Sequence, residues 1–255
     1  MITSNNNAKV KQVVQWQTKA KERRKDHVFL AEGVRMCEEA PVKNVREVYL
    51  TEELEQKIRQ NAQNVDTAFW DKLQQTGYET VSPEVCAKMA DTQTPQGILT
   101  VLEQPVYDLT QLLEQPDPLF LMLENLQDPG NLGTMIRTGE GAGITGVIMN
   151  NQTVDIFNPK TIRATMGSIF RVPFVYVPDL APVLEQMHAK GIYTYAAHLK
   201  GQEYYDSFSF REPTAFLIGN EGNGLSKEIS DQAGQYLKIP MEGRVESLNA
   251  SIAAA

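Results

Sequence analysis

Short bursts of apolar residues, each framed by polar ones, run through the first hundred positions. Val10, Val13, Val14 and Trp16 form a partial helical stripe in a charged segment, which predicts a helix over 10–25. A strand is expected at 27–30, where His27-Val28-Phe29-Leu30 leads into Ala31-Glu32-Gly33. Val34, Cys37 and Ala40 then space a short helix that Pro41 stops. The pattern continues with a strand at 47–50, helices at 52–61, 69–75 and 83–90, and strands at 79–81 and 98–102. This is a small alternating α/β unit spanning 1–104.

Residues 105–118 change character. Pro105, Pro116 and Pro118 bracket a short helical pattern at 109–114, which reads as a stiff connector. Past it Leu119 to Leu123 is a wholly apolar strand, as expected where both faces of a parallel sheet are covered. Further strands are expected at 146–149, 173–177, 192–197, 216–218 and 236–239, with helices between most of them. The chain therefore reads as α/β throughout, with a second, parallel-sheet domain over 119–255.

That second domain ends on a stretch suited to a ligand. Phe216-Leu217-Ile218 stops at Gly219-Asn220-Glu221-Gly222-Asn223-Gly224, and Tyr236 to Ile239 runs into Pro240-Met241-Glu242-Gly243. Glu246-Ser247-Leu248-Asn249 then opens an alanine-rich helix. Two strand ends and a helix start converge, and open α/β sheets bind ligands at the carboxyl ends of their strands. A phosphate loop is not spelled out, because Leu225 stands where its lysine belongs, and glycines at 219, 222 and 224 miss the dinucleotide spacing. A plain glycine-rich turn is the alternative.

Composition narrows the classes. With 255 residues, 42% hydrophobic and 22% charged, the chain has the make-up of a soluble globular protein, and no apolar run approaches a membrane span. The N-terminus MITSNNNAKVKQ lacks a hydrophobic signal core, so the cytoplasm is the expected address. Cys37 and Cys86 are far apart, and His27, His188 and His198 show no ligand spacing with them, so no metal is expected. A net charge of −8 argues against a protein that coats nucleic acid non-specifically. Yet Lys19, Lys21, Arg23, Arg24 and Lys25 crowd one segment against Glu22 and Asp26, giving either a solvated helix face or a polyanion contact.

Two more clusters complete the inventory. In ENLQDPGNLGTMIRTGEGAG, Pro129-Gly130 makes a turn, Asn131 sits where an N-cap would open a helix, and Arg137 follows nearly two turns on, with Glu140 as a possible surface partner. In NPKTIRATMGSIFRVP, Lys160, Arg163 and Arg171 make an anion site or merely decorate a helix.

In this order, with IGNEGNGLS…LKIPMEGRVESLNASIAAA, the three clusters closely resemble the signature motifs of the SpoU/TrmH family of RNA ribose methyltransferases, within the SPOUT superfamily. HVFLAEGVRMCEEA and KNVREVYLTEE likewise resemble that family's substrate-binding domain, itself similar to a small ribosomal RNA-binding protein. The resemblance implies methyl transfer from S-adenosylmethionine to a ribose 2′-hydroxyl, in ribosomal RNA more than transfer RNA, by a homodimer whose C-terminal segment is threaded into a deep trefoil knot. By motif position it implies Asn131, Arg137, Glu221, Ser247 and Asn249 as catalytic residues. Leu199, Gly219, Ile239, Met241 and Leu248 would hold the cofactor, and Lys21, Arg23, Arg24 and Arg163 would contact RNA. Thr138-Gly139-Glu140-Gly141 carries more glycine than the family pattern, which is expected to loosen that helix. Other readings are a transfer-RNA or base-nitrogen methyltransferase, and a non-catalytic ribosome-assembly factor that keeps the fold.

Overall fold

The computed structural model describes residues 1–64, 67–244 and 247–255. Packing groups Met1–Pro105 with Phe157–Phe170, and Val106–Ile156 with Arg171–Ala255.

The first unit runs α1 (Ala8–Thr18), α2 (Ala20–Asp26), β1 (Val28–Glu32), α3 (Val34–Glu39), β2 (Val45–Thr51), α4 (Glu52–Asn64), α5 (Ala68–Thr76), β3 (Glu79–Val81), α6 (Pro83–Met89) and β4 (Ile98–Glu103). Its four-stranded sheet has the order β1-β4-β2-β3 and is mixed: β2 and β3 are parallel, and β4 is antiparallel to both β1 and β2. Alternation along β2 and β4 splits the core in two. Tyr49, Leu99 and Val101 pack with Val10, Val13 and Trp16 of α1 and Val85 and Met89 of α6. Val48, Leu50 and Ile98 pack with Cys37, Ile58 and Leu73 of α3, α4 and α5.

The helix expected over 10–25 is broken. Lys19 has extended backbone, φ −124° and ψ 109°, between α1 and α2. Arg23 explains the break. It is 3% exposed, and its Nη1 donates to the carbonyls of Trp16 (2.7 Å) and Gln17 (3.3 Å), taking up acceptors that the end of α1 leaves unpaired. A continuous helix would have kept that guanidinium away from those carbonyls.

The second unit runs α7 (Leu109–Leu113), β5 (Leu119–Leu123), α8 (Pro129–Ala142), β6 (Gly146–Asn150), then, after the excursion that carries α9 (Pro159–Thr165), β7 (Phe174–Val177), α10 (Ala181–Ala189), β8 (Tyr193–Ala197), β9 (Thr214–Ile218), α11 (Lys227–Gln232), β10 (Gln235–Leu237) and α12 (Ala250–Ala254). Its six-stranded sheet has the order β10-β8-β9-β5-β6-β7, with every pair parallel. Phe120, Met122, Ile148 and Leu217 pack with Leu112 and Leu113 of α7 and with Leu184 and Met187 of α10. The segment read as a connector thus contributes two core residues.

Strand order fixes where a site can form. β5 has β6 on one side and β9 on the other, so the chain reverses direction across the sheet around β5. Loops leaving such neighbouring strands part and leave a crevice at their carboxyl ends. The excursion 157–170 packs on the first unit, where the rings of Phe157 and Phe170 lie 4.9 and 6.3 Å from that of Phe29 in β1.

Candidate active site

The loop leaving β5 begins with Asn125 in the left-handed region, φ 56°. Its amide donates to Asn150 Oδ1 (3.0 Å), Asn150 Nδ2 returns to Asn125 Oδ1 (2.9 Å), and its carbonyl accepts from Asn220 Nδ2 (2.8 Å). These bonds join the ends of β5, β6 and β9. Asn, with its short polar side chain, tolerates this conformation better than other non-glycine residues.

α8 starts at Pro129, so Asp128 and not Asn131 is its N-cap: Asp128 Oδ1 accepts from the Asn131 amide at 2.8 Å. An aspartate followed by proline is a strong local start signal. The correction matters because it leaves the Asn131 side chain free of capping. The helix then continues unbroken to Ala142 despite its glycines. Gly139 lies against the Ile144 side chain, whose Cδ1 would be 2.3 Å from an added Cβ and would have to turn aside, and Gly143, φ 75°, closes the helix with its amide on the Glu140 and Gly139 carbonyls.

The turn after β9 is tighter still. Asn220 and Gly224 exchange amide-to-carbonyl bonds of 3.0 and 2.8 Å, and Asn220 Oδ1 accepts from the amides of Gly222 (2.9 Å) and Asn223 (3.1 Å). A Cβ on Gly219 would lie 2.0 Å from the Gly224 carbonyl carbon, so only glycine fits. The turn presents Glu221. Its Oε2 accepts from the Gln127 amide (3.0 Å), and its Oε1 accepts from the Asp128 amide (2.8 Å) and from Asn131 Nδ2 (3.2 Å). Burial pushes this carboxyl up, but the hydrogen bonds from the Asp128, Gln127 and Glu221 amides and from Asn131 outweigh it and hold the group below the ordinary carboxylate range.

An ionised carboxylate only accepts, which sets the direction of every bond beyond it. Asn131 must turn Nδ2 to Glu221, so its Oδ1 faces outward and accepts from Asn249 Nδ2 at 3.0 Å. Asn249 Oδ1 in turn faces the start of α12, accepting from the Ser251 amide (2.9 Å), Ser251 Oγ (2.6 Å) and the Ile252 amide (3.4 Å). One directed chain thus joins the loops after β5 and β9 to the last helix. Ser251, buried, and Asp128 belong to this assembly and went unnoticed as site residues; the Asp-Pro step was the readable signal for the second.

Arg137 stands apart from that chain. It is exposed on α8 and forms no hydrogen bond or ion pair with any described residue. The surface partner weighed for it, Glu140, pairs instead with Arg171, whose Nη2 is 3.2 Å from Glu140 Oε2. Ser247 is exposed beside Leu248, which is half-buried; Glu246 lies outside the described residues. Ile239 and Met241, on the chain leaving β10, are half-buried, and Leu199, after β8, is 60% exposed.

The four cationic candidates sit on the first unit. Lys21 and Arg24 are exposed on α2, and Arg163, on α9, is ion-paired with Asp91. Arg23 is withdrawn from the exposed set, because its guanidinium caps α1. No cluster of three or more His, Cys, Asp or Glu able to hold a metal ion is found among the described residues.

Residues 118–255 match the SpoU rRNA Methylase family, and residues 7–100 match the MRM3-like substrate binding domain. The chain is 34% identical over 259 aligned residues, 100% of its own length and 96% of the relative's, to the 23S rRNA (guanosine(2553)-2′-O)-methyltransferase RlmP of Bacillus subtilis (strain 168). The crystal structure of an AdoMet-bound rRNA methyltransferase from Sinorhizobium meliloti superposes with a TM-score of 0.85 at 30% identity, covering 99% of this chain and 93% of that one. That of the SpoU methyltransferase AviRb from Streptomyces viridochromogenes, in complex with the cofactor AdoMet, gives 0.83 at 27% identity, covering 98% and 94%. With three converging loops in one directed hydrogen-bond chain and a family match over more than half its length, this chain belongs to the SpoU rRNA methylase family.

Proposed function

We propose that this protein transfers a methyl group from S-adenosylmethionine to a ribose 2′-hydroxyl of ribosomal RNA. The observation that carries the proposal is the directed chain Glu221–Asn131–Asn249, which fixes the loops after β5 and β9 and the start of α12 on the helix that also carries the exposed Arg137. The full-length relative that acts on 23S rRNA supports ribosomal over transfer RNA.

The residues present fit the cofactor. Gly219 brings its backbone close to that of Gly224 in a tight turn, and half-buried Ile239, Met241 and Leu248 offer apolar cover beside loop amides and carbonyls, a setting suited to a neutral adenine and a methionine chain. Leu199 completes that set from the end of β8. When bound there, S-adenosylmethionine supplies an already activated methyl group. Arg137 remains protonated, which makes it a poor base and a good holder of phosphate. Its role is to orient the nucleotide and to stabilise charge developing on the ribose oxygen. Glu221, Asn131 and Asn249 keep the loops in register, and Ser247 lines the same approach.

Residues 1–104, with Arg163 of the excursion that packs on them, bind RNA through Lys21, Arg24 and Arg163, 105–118 connect, and the rest of 119–255 forms the catalytic domain. The chain leaves β10 at the sheet edge beside β8, yet α12 packs on β9 and α8, a return that supports a deep trefoil knot. Ile252, 60% exposed on α12 close to Asn249, supports a homodimer that meets near the site. No helix among the described residues is long and apolar enough to cross a membrane, and the proposed place of action is the cytoplasm.

Incubation with radiolabelled S-adenosylmethionine and unmodified 23S ribosomal RNA transcript, with a chelator present, tests the reaction. The label is expected in a 2′-O-methylated nucleoside that protects its 3′ linkage from alkali. Label in a base, or transfer that needs added metal, contradicts the proposal.

A further inference from the structure

A ridge of cations on the first unit takes no part in the site above. Lys21, Arg24 and Lys25 are exposed on α2, and none forms a hydrogen bond or ion pair with a described residue. Six cations elsewhere, Lys9, Arg35, Lys57, Arg163, Arg171 and Lys227, each hold a carboxylate. In a chain of net charge −8, unmatched cations gathered on one helix need an account. Helix-end electrostatics favours Arg24 and Lys25 in the last turn but does not account for Lys21 in the first.

Arg46, distant in sequence, joins this ridge from the start of β2. Its guanidinium lies 5.6 Å from the centre of the Trp16 ring, and its Nη1 donates to the Asp26 carbonyl at 3.4 Å. The Asp26 carboxylate accepts through Oδ2 from Trp16 Nε1 (2.7 Å) and Gln12 Nε2 (3.1 Å). Of the two acids in α2, then, Asp26 is spent inward and Glu22 is half-buried. Arg23 meanwhile ties α2 to the end of α1, which fixes the spacing of the exposed side chains. The result is a planar cation seated on an indole, exposed, with N–H groups to spare and no carboxylate partner among the described residues. Such a fixed fork suits bidentate contact with phosphate and loses little freedom on binding.

We infer that Arg46, together with Lys21, Arg24 and Lys25, forms a contact surface for the phosphate backbone of RNA. The inference rests on the reading of this chain as an RNA methyltransferase and adds to it a residue and a place.

The test is binding of the full chain to unmodified 23S ribosomal RNA transcript at a series of salt concentrations. Arg46→Gln, which keeps most of the cover over Trp16, is expected to weaken binding about tenfold and to lower the salt slope by about 0.7–0.9. Lys21→Gln with Arg24→Gln should lower the slope by about twice that. Arg46→Lys keeps the charge and the slope but loses the fork, and is expected to bind about threefold more weakly than the parent. Unfolding midpoints show which variants are folded, and if Arg46→Gln is not, the lysine variant decides, because parental affinity there overturns the role of the fork. An unchanged slope for Arg46→Gln alongside a reduced one for the α2 pair overturns the place of Arg46 and leaves RNA binding standing. Absence of salt-dependent binding by the parent overturns the functional reading itself.

Discussion

Arg137 is where chemistry and chain are most sharply joined. An exposed guanidinium without a partner among the described residues, on the helix that carries Asn131, is available to a nucleotide. If its fixed charge orients phosphate and stabilises the oxyanion, Arg137→Lys keeps charge but loses the planar fork and should be nearly as inactive as Arg137→Ala. Loss of one such contact costs about a hundred- to a thousand-fold in turnover. Single-turnover transfer at several pH values checks this, and recovery of the lysine variant at high pH would assign the residue as base instead. At this scale the sequence was legible where a residue works alone. It was opaque where partners lie far apart: Asn125 is held by Asn150 and Asn220, 25 and 95 positions away. Nor does a run such as Lys21 to Lys25 reveal that Arg23 alone turns inward.

At the scale of elements, the turn after β9 is the stiffest part of the site. Gly219→Ala sets a methyl against the Gly224 backbone, and overpacking of this kind costs about 1–3 kcal/mol. A lower unfolding midpoint with lost cofactor binding is the expected outcome; a fully stable, cofactor-binding alanine variant would show the turn to be loose. Glu221 links this turn to pH. Its folded carboxyl lies below the ordinary range, so its stabilising contribution is complete above the unfolded value and is lost as pH falls through the folded one. Glu221→Gln sets an amide N–H against the donors that the carboxylate accepts. Denaturation of parent and variant should therefore differ most near neutral pH and converge under acid; a pH-independent difference would mean that charge is not what holds the turn. Strands such as β5 were readable because both faces are apolar. The break at Lys19 was not, because it depends on where Arg23 lands.

Across the whole molecule, apolar runs were enough to mark the second domain as a parallel sheet, whereas the mixed sheet of the first unit was not read, because strand direction has no local signature. They do not order strands: that β5 lies between β6 and β9, and β10 outside β8, follows from crossovers with no local signature. Nor do they show that 157–170 leaves the parallel-sheet unit to pack with β1, because its apolar residues Phe157, Ile162 and Ile169 suit either core. The central claim at this scale is that the chain methylates one kind of atom, a ribose 2′-oxygen, in ribosomal RNA. Mapping alkali-resistant linkages along ribosomal RNA from cells with and without this protein tests it most directly. At least one linkage is expected to become alkali-labile when the protein is lost and resistant again when the parent, but not Arg137→Ala, is restored; an identical map in all of these cells would rule out ribose methylation of ribosomal RNA by this protein.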